Sequence, residues 1–159
     1  MTMPDEGLSP VVRVIAAMLF PFILIFSLYV ILHGHLTPGG GFQGGAIGAS
    51  AVVMLIVAYG ARWVESKAGE ESVSVLESLG GLMFVVTGLL GFLLAATFLS
   101  NFLVGEVLFG EIPTFGSNPG ILNTGGTLPL LNIAVGLKVI GGLASVVLIM
   151  ALGSRRDAA

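Results

Sequence analysis

The sequence predicts an all-α integral membrane protein with four transmembrane helices and both termini in the cytoplasm, and three observations carry that prediction. Only 15 of the 159 residues are charged and 55% are hydrophobic, for a mean hydropathy of +1.05, whereas soluble domains charge about a quarter of their residues. Two stretches lack Asp, Glu, Lys and Arg altogether, 48 residues between Arg13 and Arg62 and 28 between Glu77 and Glu106. Each exceeds the roughly 20 residues that a helix needs to cross a bilayer. The apolar runs are continuous in Leu, Val, Ile, Ala and Phe and show no alternation with polar residues, which selects helices over barrel strands. The chain has no cysteine, which excludes disulfides, thiolate zinc sites, iron–sulfur clusters and c-type haem attachment. Any redox chemistry would belong to a partner.

The first span covers about Val11 to Leu32. Ser9 and Pro10 open it, serine as a cap and proline at a first-turn position whose amide lacks a partner anyway. Pro21 inside it predicts a kink. Acidic residues precede the span, its apolar stretch is long, and no small-x-small site follows, so it is a retained helix and not a signal peptide. The second span runs from about Phe42 to Arg62, with Trp63 as an interfacial anchor. The third covers about 78–100 and the fourth about 129–152, all within a single membrane domain spanning residues 1–159.

Orientation follows from the cations, because Lys and Arg near span ends stay in the cytoplasm. Arg13, Arg62, Lys67, Arg155 and Arg156 fall on one side, and the connections 33–41 and 101–128 hold none. The middle loop from Val64 to Glu77 is polar, either a solvated cytoplasmic hairpin or a docking segment. The 101–128 connection mixes Phe102, Leu103, Val104, Val107, Leu108, Phe109, Ile112 and Phe115 with only Glu106 and Glu111 for charge. A loop this apolar is expected to pack on the bundle or on another protein.

The densest motif is His33-Gly34-His35-Leu36-Thr37-Pro38-Gly39-Gly40-Gly41-Phe42-Gln43-Gly44-Gly45. Its Gly39-x-Gly41-x-x-Gly44 spacing matches the dinucleotide fingerprint, but no β-strand precedes it, and no Gly-Lys-Ser/Thr follows to make a phosphate loop. Pro38 followed by Gly39, Gly40 and Gly41 permits a tight outer turn with positive φ. Gly41, Gly45 and Ala49, with Gly44 and Gly48, give the second helix small faces for close helix approach. Spaced i, i+2 with no Cys, Asp or Glu nearby, His33 and His35 make a poor metal site. Two readings stand for them, a proton-handling role and interfacial imidazoles satisfied by backbone carbonyls.

Lys138 is the one charge inside a predicted span. A lysine near the midplane costs on the order of 3 kcal/mol, so it should face the bundle, water or a partner, unless it snorkels to the outer surface. The predicted spans contain no acid, which leaves Glu106, Glu111 or an acid of another subunit to pair with it. No catalytic triad, paired in-span carboxylates or basic nucleic-acid surface is present.

The string Leu32-His33-Gly34-His35-Leu36-Thr37-Pro38-Gly39-Gly40-Gly41-Phe42-Gln43-Gly44-Gly45 resembles the signature of the MnhB/MrpB family. These are small membrane subunits of multi-subunit Mrp-type sodium/proton antiporters, found also in related membrane-bound hydrogenase-type complexes. Four spans, the long outer connection and the fourth-helix opening Leu128-Pro129-Leu130-Leu131-Asn132-Ile133-Ala134-Val135-Gly136 extend the resemblance over about Val11 to Leu152. It implies an accessory, non-catalytic subunit of the cell membrane that works without cofactors, beside other membrane subunits, in Na+ and H+ translocation. His33, His35, Pro38, Gly39, Gly40, Gly41 and Phe42 carry over as motif positions. Many antiporter members have an uncharged residue where Lys138 stands, and the lysine resembles hydrogenase-type or sulfur-reductase-type versions, so the host complex stays open. The rival of a different class is a self-sufficient small homodimeric proton-coupled transporter, disfavoured by the lack of a membrane acid.

Overall fold

The computed structural model describes residues 7–113, 118 and 120–156. Five helices follow one another: α1 Pro10–Leu32, α2 Gly41–Tyr59, α3 Ala61–Ala68, α4 Glu70–Ala95 and α5 Leu128–Arg156. Four of them, α1, α2, α4 and α5, are long and apolar enough to cross a membrane. Among the described residues there is no strand, only an isolated bridge between Glu111 and Thr124. The chain is thus an all-helical, multi-pass membrane protein.

α5 packs against both α4 and α2, and α2 packs against α1, while α1 barely touches α5. The order across the bundle is therefore α1, α2, α5, α4. The central position of α2 explains its glycines and its burial, 44% of its apolar window against 17% for α1 and for α4.

Two boundaries differ from the sequence expectation. The second span ends at Tyr59, not Arg62, because Gly60 adopts φ +93° and breaks the helix. The chain resumes as α3, an amphipathic helix whose Ala61 and Val64 are buried with Ile56 and Leu148 while Arg62, Glu65 and Lys67 face out. The polar stretch 64–77 is accordingly helical, and α4 starts eight residues earlier than expected, at the break made by Gly69. At its far end α4 stops at Ala95, since Ala96 takes a left-handed conformation. The chain then doubles back on α4: the amide of Leu99 donates to the Gly88 carbonyl (3.3 Å), and the Phe98 ring covers Gly88. The third span, expected over 78–100, is therefore shifted toward the N-terminus, to Glu70–Ala95.

The start of α1 and the end of α2 are tied together by the Tyr59 hydroxyl, which donates to the Arg13 carbonyl at 3.0 Å. Tyr59 also stacks on Trp63, 4.3 Å between centroids. Pro10 occupies the first turn of α1 as expected, but the Ser9 side chain makes no capping bond. α1 continues without a break through Pro21.

Candidate functional site

Two groups of polar residues stand out among the described residues, one at the seam of α4 and α5 and one at the turn between α1 and α2. The seam is made by glycines on both helices. A Cβ at Gly80 would strike the Lys138 amide and the Ala134 carbonyl, and a Cβ at Gly141 would strike the Glu77 backbone, 2.9 Å from its Cα. The backbones therefore lie close, and the flank of the seam carries charge. Lys138 Nζ donates to Glu77 Oε1 at 3.2 Å. Lys138 stands ten residues from Leu128 and ten from Leu148, about 15 Å along the helix from each at 1.5 Å per residue. Lys138 thus lies well inside its candidate span, Leu128–Ser154, and Glu77 six residues, about 9 Å, from the Glu71 end of its own.

This corrects the expected partner of the lysine. The sequence reading makes Glu77 the last residue of a polar loop, but it lies two turns into α4 and inside a candidate span. Glu106 and Glu111 belong to the connection between α4 and α5 and are both exposed; neither makes the bond to Lys138. The spans do contain an acid, so a stand-alone transporter is not disfavoured for want of one.

The second group is assembled by the turn 33–40. The carbonyl of His33 accepts the amides of Leu36 and Thr37, at 2.9 and 3.0 Å, and Gly40 takes φ +117° to launch α2. His33 stacks on Tyr29 (4.0 Å), and its Nδ1 lies 3.0 Å from the Tyr29 carbonyl. His35 points the other way, under Gly125 of the long connection. Both its ring nitrogens are shielded from solvent and neither makes a hydrogen bond. Burial pushes the His35 pKa below its ordinary value; the Leu122 carbonyl opposes the shift, the His33 charge adds to it, and the Leu32 carbonyl opposes it weakly. Pro38 and Phe42 are exposed and Gly39 is half-buried, packing near Val30.

The glycines of α2 divide between two neighbours. A Cβ at Gly41 would strike the Asn132 carbonyl, and one at Gly45 would meet Val139 at 2.7 Å and the Gly136 carbonyl at 2.9 Å, both on α5. A Cβ at Gly44 would strike Ile31 and the Ser27 carbonyl on α1, and one at Gly48 would meet the Ser27 Oγ on α1 at 2.7 Å and Ile140 on α5 at 2.9 Å. The buried Ser27 hydroxyl also donates to the Gly44 carbonyl at 2.7 Å. Asn132, one of several unspecific polar residues in the sequence, has a definite place here, because its Oδ1 accepts the Gly41 amide (3.4 Å) at the open N-terminus of α2.

The long connection is ordered by asparagines that sequence reasoning passes over. Asn101 Oδ1 accepts the Thr127 amide at 2.7 Å while its Nδ2 donates to the Gly125 carbonyl. Asn123 Oδ1 accepts the Phe109 amide at 2.6 Å, and its Nδ2 donates to the Val107 carbonyl. The apolar tip is left outside, with Val107 93% exposed and Val104, Leu108 and Ile112 also exposed. Positions 114–117 and 119 of the connection lie outside the described residues.

Comparison with known proteins gives a consistent result. Residues 11–145 match the model of a family described as a domain related to the MnhB subunit of Na+/H+ antiporter. An uncharacterized protein of Methanocaldococcus jannaschii is 34% identical over 142 residues, 86% of this chain and 50% of that protein. A Na+/H+ antiporter subunit of Bacillus subtilis is 42% identical over 79 residues, 50% of this chain and 54% of that protein. The aligned chain spans about half the length of these two relatives. Among solved structures, a chain of the membrane-bound sulfane sulfur reductase, an archaeal respiratory membrane complex, is similar with a TM-score of 0.71 at 35% identity, covering 94% of this chain and 60% of that one.

Proposed function

This chain belongs to the MnhB-related family, and on that premise we propose that it is a non-catalytic membrane subunit of an Mrp-type Na+/H+ antiport module, contributing to ion translocation and to subunit packing. The observation that carries the ion-path part is the Lys138–Glu77 pair formed between two candidate spans. Charged side chains in the apolar slab are costly and are kept where ions or protons pass. Na+ and H+ are the ions because a Na+/H+ antiporter subunit is among the relatives. His33 and His35 are the groups able to exchange protons at the outer end, and Glu106 and Glu111 are off the path.

The glycine-lined turn and the two glycine faces of α2 serve packing. The termini face the cytoplasm in the cell membrane; Arg13 lies at the Tyr59 end of the bundle, as do Arg62 and Lys67 on α3, which fits cation retention on that side. A host of the respiratory type is favoured over a simple exchanger by the match to the sulfur reductase chain over 94% of the sequence.

The test is Lys138→Met in the assembled complex, with Na+-driven proton movement followed in everted vesicles. A loss of at least tenfold with assembly intact is expected, and unchanged exchange would remove the lysine from the ion path. Purified chain alone in liposomes should move no Na+; exchange there would favour the homodimeric transporter instead.

A further inference from the structure

The ion pair on the α4–α5 seam is uncovered. The helix backbones beneath it are tightly apposed, with Gly80 and Gly141 buried, yet the Lys138 and Glu77 side chains remain 54% and 38% exposed. The residues beside it are glycines. A Cβ at Gly81 would lie 3.8 Å from Lys138 Nζ and one at Gly142 would lie 3.6 Å from Glu77 Oε1. Both are ordinary contact distances, so neither glycine is required by packing within this chain. Their effect is to leave the pair without cover and to let another helix backbone come near.

Lipid is a poor cover for such a pair. Hydrocarbon offers no hydrogen bond to the remaining ammonium protons or carboxylate lone pairs. About 15 Å from the Leu128 end of its candidate span and about 24 Å from the Ser154 end, and bonded to Glu77, the lysine is also too deep to carry its charge to a headgroup. An ammonium has three donors, and among the described hydrogen bonds Lys138 spends one, on Glu77. What the surface lacks is an acceptor, and the acceptor that also complements the cation is a carboxylate.

Resting on the subunit reading above, we propose that the open flank of the α4–α5 seam, centred on Lys138 and Glu77, is the docking surface for a membrane-spanning helix of another subunit that presents a carboxylate at the level of the pair. Two carboxylates around one ammonium carry one net negative charge, a cluster suited to taking up a proton or a sodium ion. The interface between the two chains is then part of the ion path, and neither chain alone holds the complete site.

The natural absence of cysteine makes the test direct. In the complete complex in native membranes, Gly142→Cys is combined in turn with a cysteine one turn from each mid-span Asp or Glu of the companion subunits, and copper phenanthroline is added. A disulfide to one companion helix is expected; adducts only between two copies of this chain, or none, would overturn the proposal. In parallel, Gly142→Leu should reduce co-purification of companion subunits at least tenfold while Gly142→Ala does not, with equal membrane levels of this chain. Normal co-purification of Gly142→Leu would remove the docking surface and leave the subunit reading intact. Failure of the unaltered chain to co-purify with any companion would instead overturn the subunit reading, and the surface with it.

Discussion

The seams of α2 and the seam of α4 with α5 use the same means of close approach and end differently. On α2, Gly41 and Gly45 admit the α5 backbone and Gly44 and Gly48 admit α1. The polar atoms at those contacts are satisfied within the chain, by Ser27 to the Gly44 carbonyl and by Asn132 to the Gly41 amide. On α4 and α5, Gly80 and Gly141 bring the backbones equally near, yet the edge of that seam holds an ion pair with its side chains half exposed. Small residues alone therefore do not identify function. The first kind of seam completes itself, and the second leaves hydrogen-bonding capacity for something outside the chain.

The comparison breaks most visibly at Gly45. A leucine there must displace both Val139 and a backbone carbonyl of α5, and backbone cannot step aside as a side chain tip does. Overpacking costs about 1–3 kcal/mol in ordinary cores, and Gly45→Leu should reach the upper end. Fluorescence-detected size-exclusion after heating should show a large loss of monodisperse protein. Gly153→Leu, at a glycine with nothing within 4 Å, should leave the profile unchanged.

The next effect sharpens the other side of the comparison. Lys138→Met strands a carboxylate in the slab and Glu77→Gln strands an ammonium, so each single change should destabilise the complex. The double variant leaves neither charge and should recover most of the loss, because breaking a pair is worse than removing it. A coupling of roughly 1–3 kcal/mol is expected from the cycle. Ion exchange should stay low in all three variants. Recovery of transport together with stability would make the pair a packing element only.

How much of this is legible in the sequence depends on the kind of signal. The spans and the two glycine faces of α2 follow from periodicity, which one sequence displays in full. Glu77 escapes because starting the third span after the last charge treats every acid as loop. Glycine spacing holds the missing signal: Glu77 precedes Gly80 and Gly81 by three and four residues, and Lys138 precedes Gly141 and Gly142 by the same intervals. Each charge therefore shares a helix face with a glycine. The asparagine bonds of the outer connection have no such signal, since Asn101 meets Thr127, and Asn123 meets Phe109 and Val107, across separations that only the folded chain defines.

The smallest expected effect concerns His35, which links the short outer turn to the long connection. Its imidazole is enclosed beneath Gly125 without a hydrogen bond, and burial holds its pKa below the ordinary value. The unfolded chain therefore binds the proton more readily than the folded one in the window just below the ordinary histidine pKa. Stability rises with pH through that window and is lost as the pH falls below about 6.5, the unperturbed value. Two backbone carbonyls oppose the shift, which keeps the effect modest. Hydrogen exchange of amides 121–128, corrected for intrinsic rates, should quicken between pH 7.5 and 5.5 in the unaltered protein. In His35→Gln the corrected rates should no longer change over that range. A flat profile in the unaltered protein would mean that the connection stays closed over a charged imidazole.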